Sequence, residues 1–206
     1  MTGNAFVSDT RWTDYINAGG GALHSLLVYS FEDYALSKQT INLVAGTAEY
    51  SLPATFLIER KVFLLSGNDR YPLQRLSLQE LDGTSLDLLR ASGIIPRMKY
   101  YLLNDKIRIW PESGISGQLE LWYAPQWTAL VNVGDTIPAT IPDNWADFIV
   151  LHAAIRALKK ERSDTSDLVA ELIALKEEIK EYAANRTSGQ PRQVVNLDNT
   201  YIGDLY

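Results

Sequence analysis

The sequence predicts an α+β protein: a helical body with an inserted antiparallel β domain and an extended C-terminal arm. The body consists of an N-terminal helix and two C-terminal helices. Three observations lead there. Apolar residues recur at helical spacing near both ends of the chain, and they alternate with polar ones between. Residues 189–206 stay rich in aromatic and aliphatic side chains although they cannot be helical throughout. The expected divisions are residues 1–38, 39–140, 141–188 and 189–206.

Residues 8–34 read as the first helix. Ser8 can cap it and Asp9 favours its positive end. Trp12, Ile16, Leu23 and Leu27 recur on one face. Gly19, Gly20 and Gly21 fall mid-helix, where each costs roughly 1 kcal/mol against alanine. Such a run needs a reason, either close approach of a neighbouring helix or a kink.

From residue 39 the texture becomes that of strands. Residues 40–44 alternate and lead into a turn around Gly46; 61–65, 71–76, 98–103, 106–110 and 118–123 continue the set. Asn104-Asp105 is a hairpin signal, weaker than Asn-Gly because no glycine supplies the second positive φ. One short helix over 77–89 is expected to interrupt a small antiparallel sheet or barrel.

Ile141-Pro142-Asp143 is a helix start: proline at the first helical position, then an acid. Trp145, Phe148, Leu151, Ile155 and Leu158 form the main stripe, and Ile149, Val150, Ala153, Ala154 and Ala157 make most of the remainder apolar. This helix is expected to be enclosed on most sides. Ser163-Asp164 should end it and cap the next. There Leu168, Leu172, Leu175, Ile179 and Tyr182 are spaced as in a coiled-coil seam, opposite a charged, solvated face.

The arm carries Val194, Val195, Leu197, Tyr201, Ile202, Leu205 and Tyr206. Disordered tails are poor in such residues. The segment either docks on another protein or folds back over its own core.

The bulk numbers narrow the function. The chain has 206 residues, 46% of them hydrophobic, and a formal net charge of −6. Coating nucleic acid needs a clustered basic surface, and no basic run exceeds Lys159-Lys160. There is no cysteine, hence no disulfide or thiolate metal site. The N-terminus lacks the regions of a signal peptide, and the longest apolar run, 148–158, is too short to span a bilayer. A soluble, unsecreted protein without a membrane partner is expected.

Catalytic constellations are scarce. His24 and His152 sit on apolar helices without a second ligand at metal spacing, so they read as packing histidines. Gly19-x-Gly21 fails the dinucleotide fingerprint, and no phosphate loop or nucleophile elbow occurs. No cofactor or metal and no enzymatic activity is expected. Tyr100, Tyr101, Trp110, Trp122, Tyr123 and Trp127 concentrate in the strand region. They fill a core or an interface; an exposed sugar platform is the other reading.

Several stretches together carry a resemblance. Trp12-x-Asp14-x-Ile16-Asn17, then Glu49-Tyr50-x-Leu52-Pro53-x-x-Phe56, the hairpin ending Ile109-Trp110-Pro111, and Ile141-Pro142-x-x-Trp145-x-Asp147-Phe-Ile-Val150 are similar to adaptor proteins at the head–tail junction of tailed bacteriophages. The order of parts matches from about Asp9 to the end. Gly19–Gly21 has no place in the family pattern, and the β insertion is long.

The resemblance implies a virion structural protein, made in the host cytoplasm. It would form a ring, usually of twelve copies, beneath the portal protein. The ring would extend the DNA channel, letting packaged DNA pass without sequence-specific binding, and offer a platform to a downstream tail, nozzle or stopper protein. The arm residues from Val194 to Tyr206 would bind the portal. Trp12, Ile16, Gly20, Trp145, Phe148, Leu172, Leu175 and Ile179 would pack helices and subunits. The loops at 66–70 and 112–117 would meet the tail component or the adjacent subunit. Two alternatives stand beside it: a tail-associated glycan-binding module using Trp110, Trp122 and Trp127, and a stopper or tail-completion protein of the same neck.

Overall fold

A computed structural model of the chain describes residues 7–77, 98–110, 117–132 and 134–188. It divides into two compact units, Gly20–Pro142 and the combination of Met1–Gly19 with Asp143–Tyr206. Helix α1 (Asp9–Ser30) runs through the division. The arm 189–206 and, apart from Ser77, the expected helix over 77–89 lie outside the described residues.

Helix α1 starts where the sequence places it: the Ser8 carbonyl accepts the Trp12 amide at 3.0 Å. It ends four residues earlier than expected, at Ser30. The last backbone bond from its end runs from the Phe31 amide to Leu27, and Ala35 just beyond adopts φ 51°. The glycine run leaves the helix unbroken.

Among the described residues, the unit Gly20–Pro142 holds eight strands in two four-stranded sheets. Strands β1 (Ser37–Leu43), β8 (Gly117–Pro125), β3 (Phe56–Ser66) and β4 (Asp69–Pro72) form the first in that spatial order. Strands β2 (Glu49–Ser51), β7 (Lys106–Trp110), β6 (Lys99–Leu103) and β5 (Gln74–Arg75) form the second. The run expected over 71–76 is split at Leu73 between the sheets, and its β5 part pairs in parallel with β6, the one exception among the described pairings. Strand β2 is an addition to the expected set, held against β7 by Tyr50↔Ile107 pairing.

Alternation places the core between the sheets. Leu119, Leu121 and Tyr123 of β8, Val62 and Leu64 of β3, Ile107 and Ile109 of β7 and Tyr100 of β6 bury together. Asn104 takes φ 54° in the β6–β7 turn, as a two-residue hairpin loop requires. Tyr50 fixes the 44–47 turn, its hydroxyl accepting from the Val44 amide at 3.0 Å and donating to the Thr47 carbonyl at 2.9 Å.

In the other unit a 3-10 turn (Asp143–Trp145) leads into α2 (Ala146–Glu161), and α3 (Ser166–Ser188) follows. Arg162, in the left-handed conformation, ends α2 by donating its amide to Lys159, with the Ser163 amide on Leu158. Asp164 serves the entrance of α3: its Oδ1 accepts the Ser166 amide at 2.9 Å. The Ser166 amide first, then the Ser166 hydroxyl, hold its carboxyl below the usual aspartate range.

Candidate functional site

The expected packing residues fall into both units. Along α1 burial grows with residue number: Trp12 is 38% exposed and meets Tyr15 edge-on at 6.2 Å, Ile16 is half-buried, and Leu23 and Leu27 are fully buried. A Cβ at Gly19 would lie 3.0 Å from the Ile149 carbonyl oxygen and 3.2 Å from the His152 Cβ of α2. Close approach, not a break, is therefore what Gly19 serves. Gly20 faces the Trp127 indole, 2.3 Å from where its Cβ would stand.

Helices α2 and α3 bring the C-terminal candidates together. Trp145 and Phe148 are buried, and the Trp145 ring meets Tyr182 edge-on at 5.7 Å. Ile179 and Ala183 are buried in α3, while Leu172 and Leu175 are half-buried. The expected enclosure of α2 is incomplete. Val150 is 62% exposed, with Asp147 beside it on the same face and Leu151, Ala154 and Leu158 only half-buried. Helix α3 covers one side of α2 and α1 approaches it at Gly19, which leaves the Asp147–Val150 face of a helix that is apolar nearly all round without cover. Ile173 and Tyr182 of α3 and Tyr29 of α1 are also exposed.

The histidines pack, as their neighbours dictate. His24 is buried, with Nε2 2.8 Å from the Pro125 carbonyl and its ring against Tyr34 and Trp127. His152 stacks nearly parallel on Phe148 at 6.4 Å. Burial first, then Arg156 and Lys159, push its pKa down.

Two features escaped the sequence reading. One is a charge ladder across the outer face of the first sheet. Glu120 of β8 is 7% exposed, accepts the Trp122 indole N–H at 2.7 Å, lies 3.3 Å from Lys38 of β1 and pairs with Arg70 of β4. Arg70 spans β3 with its guanidinium 3.8 Å above Phe63 and 5.3 Å from Trp122. The Trp122 bond first, then Lys38 and Arg70, hold the Glu120 carboxyl below its usual range. The other is Arg60. It is the extra residue where the β3–β8 register shifts between Glu59 and Lys61, and the bulge aims its Nη2 at the Val28 and Phe31 carbonyls. Beside it a cleft of about 420 Å³ opens between Glu32, Asp33, Leu36, Glu59, Lys61, Phe63 and Trp122.

The three tryptophans of the sugar-platform reading do not share a face. Trp122 is engaged by Glu120 and Arg70 in the first sheet, Trp110 closes β7 in the second, and Trp127 packs on Gly20 and His24. Tyr100, Tyr101 and Tyr123 are buried, the first with a pKa pushed up to about 12 by desolvation. No group of three or more His, Cys, Asp or Glu able to hold a metal occurs among the described residues, and no described helix is long and apolar enough to cross a membrane.

The arrangement is thus a helical unit with exposed apolar positions and a two-sheet unit with a charged outer face. It offers surfaces for association. Compared with known families, the sequence matches the SU10 adaptor protein family over residues 2–195. The chain belongs to the SU10 adaptor protein family. This is a family of structural proteins of the phage head–tail junction, so the adaptor is a virion component that works with portal and tail proteins. No curated protein matches the sequence.

Proposed function

We propose that copies of this adaptor form a ring beneath the portal, anchored to it by the C-terminal arm, and that the ring extends the DNA channel toward the tail. The family match carries the reading, because it covers both units and reaches Val194 and Val195 of the arm. The helices over 9–30, 146–161 and 166–188 form the body. Trp12, Ile16, Val150, Ile173 and Tyr182, incompletely covered within the chain, supply the contacts between copies. The hairpin tip at 66–70 meets the tail component or the adjacent copy.

Burying five to seven arm side chains yields ~8–15 kcal/mol gross. Ordering the arm costs roughly 1–2 kcal/mol per residue, so one copy binds weakly. In a ring whose neighbours touch, later copies bind almost intramolecularly, and the portal templates assembly. The net charge of −6 suits a conduit that must not grip the DNA passing through.

Deleting residues 190–206 tests the arm. Particles should package DNA yet lack tails, while the truncated protein keeps the circular dichroism and melting behaviour of the parent. Normal tailing after the deletion would remove the arm from the mechanism. Imaging the adaptor mixed with its portal then counts the copies in the ring.

A further inference from the structure

Four strands end the two sheets: β1 and β4 the first, β2 and β5 the second. Three of these edges are blunted by their own sequence. Strands β2 and β5 have three and two residues, and β4 finishes on Pro72, which has no amide to give. Strand β1 has none of these devices. It runs seven residues without proline, and its register with β8 is unbroken from Ser37 to Leu43.

The register also tells which backbone groups of β1 face outward. The Leu73 amide donates to the Val62 carbonyl at 2.8 Å, so Val62, Leu64 and Ser66 turn their backbone groups to β4, and Phe63 and Leu65 turn theirs to β8. Their partners Glu120 and Gln118 face β3 in return, which leaves Leu119, Leu121 and Tyr123 to bond Ile41, Gln39 and Ser37 of β1. The amides and carbonyls of Lys38, Thr40 and Asn42 therefore point away from the sheet, and no described residue pairs with them. Their side chains leave the edge clear: Lys38 reaches back to Glu120 at 3.3 Å, and Asn42 Oδ1 accepts from Gln118 at 3.1 Å. The open edge ends at Val44, whose amide is taken by the Tyr50 hydroxyl.

We infer that this edge pairs with the same edge of a second copy, antiparallel and two-fold about Thr40. The strand is complementary to itself in that register. Thr40 faces its own counterpart and each Lys38 faces an Asn42, so no like charges meet. Each of these pairs exchanges two backbone bonds. A ring is built from head-to-tail contacts, so the two-fold pair belongs to the free adaptor and covers the edge until copies seat on the portal. An interface this small associates weakly and reversibly.

Sedimentation velocity and hydrogen–deuterium exchange on the full-length chain, each across a dilution series, test the pairing. A monomer–dimer equilibrium is expected, with the amides of Lys38, Thr40 and Asn42 protected only where the dimer is populated. Thr40→Pro removes an amide that the fold does not use. It should keep the β1–β8 ladder and the melting temperature while weakening the dimer about tenfold, since one bond is lost from each copy. Thr40→Lys, opposite Glu120 in the register, leaves the backbone intact and sets like charges across the two-fold. Its dimer should weaken too and recover in salt, and it decides the matter if the proline variant melts early. Outward amides that exchange freely at every concentration overturn the inference. So do amides equally protected at every dilution, which would mean that the chain's own residues cover the edge, and so does a dimer indifferent to both substitutions. All three are read on the free chain, so the proposed ring is judged separately, by the arm deletion.

Discussion

The indole of Trp127 lies so close to Gly20 that a methyl group there would stand 2.3 Å from Cζ2 of the ring. That contact joins the segment after β8 to the middle of α1, with His24 one turn further along packed against the same indole at 6.1 Å. A residue normally disfavoured in helices is thereby required: only a bare Cα lets the ring lie flat against the helix.

Alanine at Gly20 should therefore lower stability by about 1–3 kcal/mol, the usual range for overpacking, despite its better helix propensity. Gly19→Ala should also destabilise, because the atoms it meets are the Ile149 backbone and cannot swing aside. Gly21→Ala should stabilise by roughly 0.5–1 kcal/mol. Urea titrations of the three variants rank them; equal effects at all three positions would contradict the geometry.

Much of this was legible in the sequence, for identifiable reasons. Helix periodicity and local start signals placed α1, α2 and α3 to within a few residues, but α2 begins at Ala146, after a 3-10 turn over Asp143–Trp145, and not at Pro142. The strands with strict alternation, such as β7 and β8, were found nearly to the residue. Strand β2 was not, since Glu49-Tyr50-Ser51 is three residues long and formed by pairing with β7. Among the site residues, Gly20 was marked by its sequence, but its partner Trp127 was not, because their contact spans the whole β insertion. Arg60 and Glu120 gave no local signal: one owes its role to a bulge, the other to charges on strands distant in sequence.

Glu120 should behave as the keystone of the outer face. Glu120→Gln keeps the shape and an acceptor for Trp122 but loses the charge facing Lys38 and Arg70. The expected loss at pH 7 is about 1 kcal/mol, moderated because both cations are half-exposed and screened. The carboxyl pKa is depressed in the fold, so its contribution is complete above the ordinary value of 4.5 and disappears as pH falls through the folded value. Parent and variant should thus differ in melting temperature at pH 7 and converge in acid. A constant gap across that range would show the effect to be packing and not charge.

His152 should give a second pH dependence, in a different window. Its folded pKa lies below the ordinary 6.5, so the unfolded chain takes up the proton first. Stability should fall as pH drops from about 6.5 toward the folded value, while Glu120 remains charged. His152→Phe keeps a ring over Phe148 and removes the proton. Its urea midpoint should change less between pH 7.5 and 5.5 than that of the parent; identical slopes would mean that His152 titrates normally.

Arg60 should set the end of α1. A helix leaves its last carbonyls without backbone partners, and here the Val28 and Phe31 oxygens are taken by Nη2 of a residue on β3. The helix has no basic residue in its last turn and is followed by Glu32 and Asp33. The negative end of the dipole therefore depends on this distant cation. Arg60→Met keeps much of the aliphatic stem and removes both bonds, at a cost of roughly 2 kcal/mol. Arg60→Lys should recover only part, because an ammonium on a flexible stem lacks the planar fork. Hydrogen–deuterium exchange locates the effect: amides over 24–31 should lose protection in Arg60→Met while those at the centre of β8 keep it. Equal loss in both segments would indicate global destabilisation, and no loss in either would mean that α1 ends at Ser30 without help from Arg60.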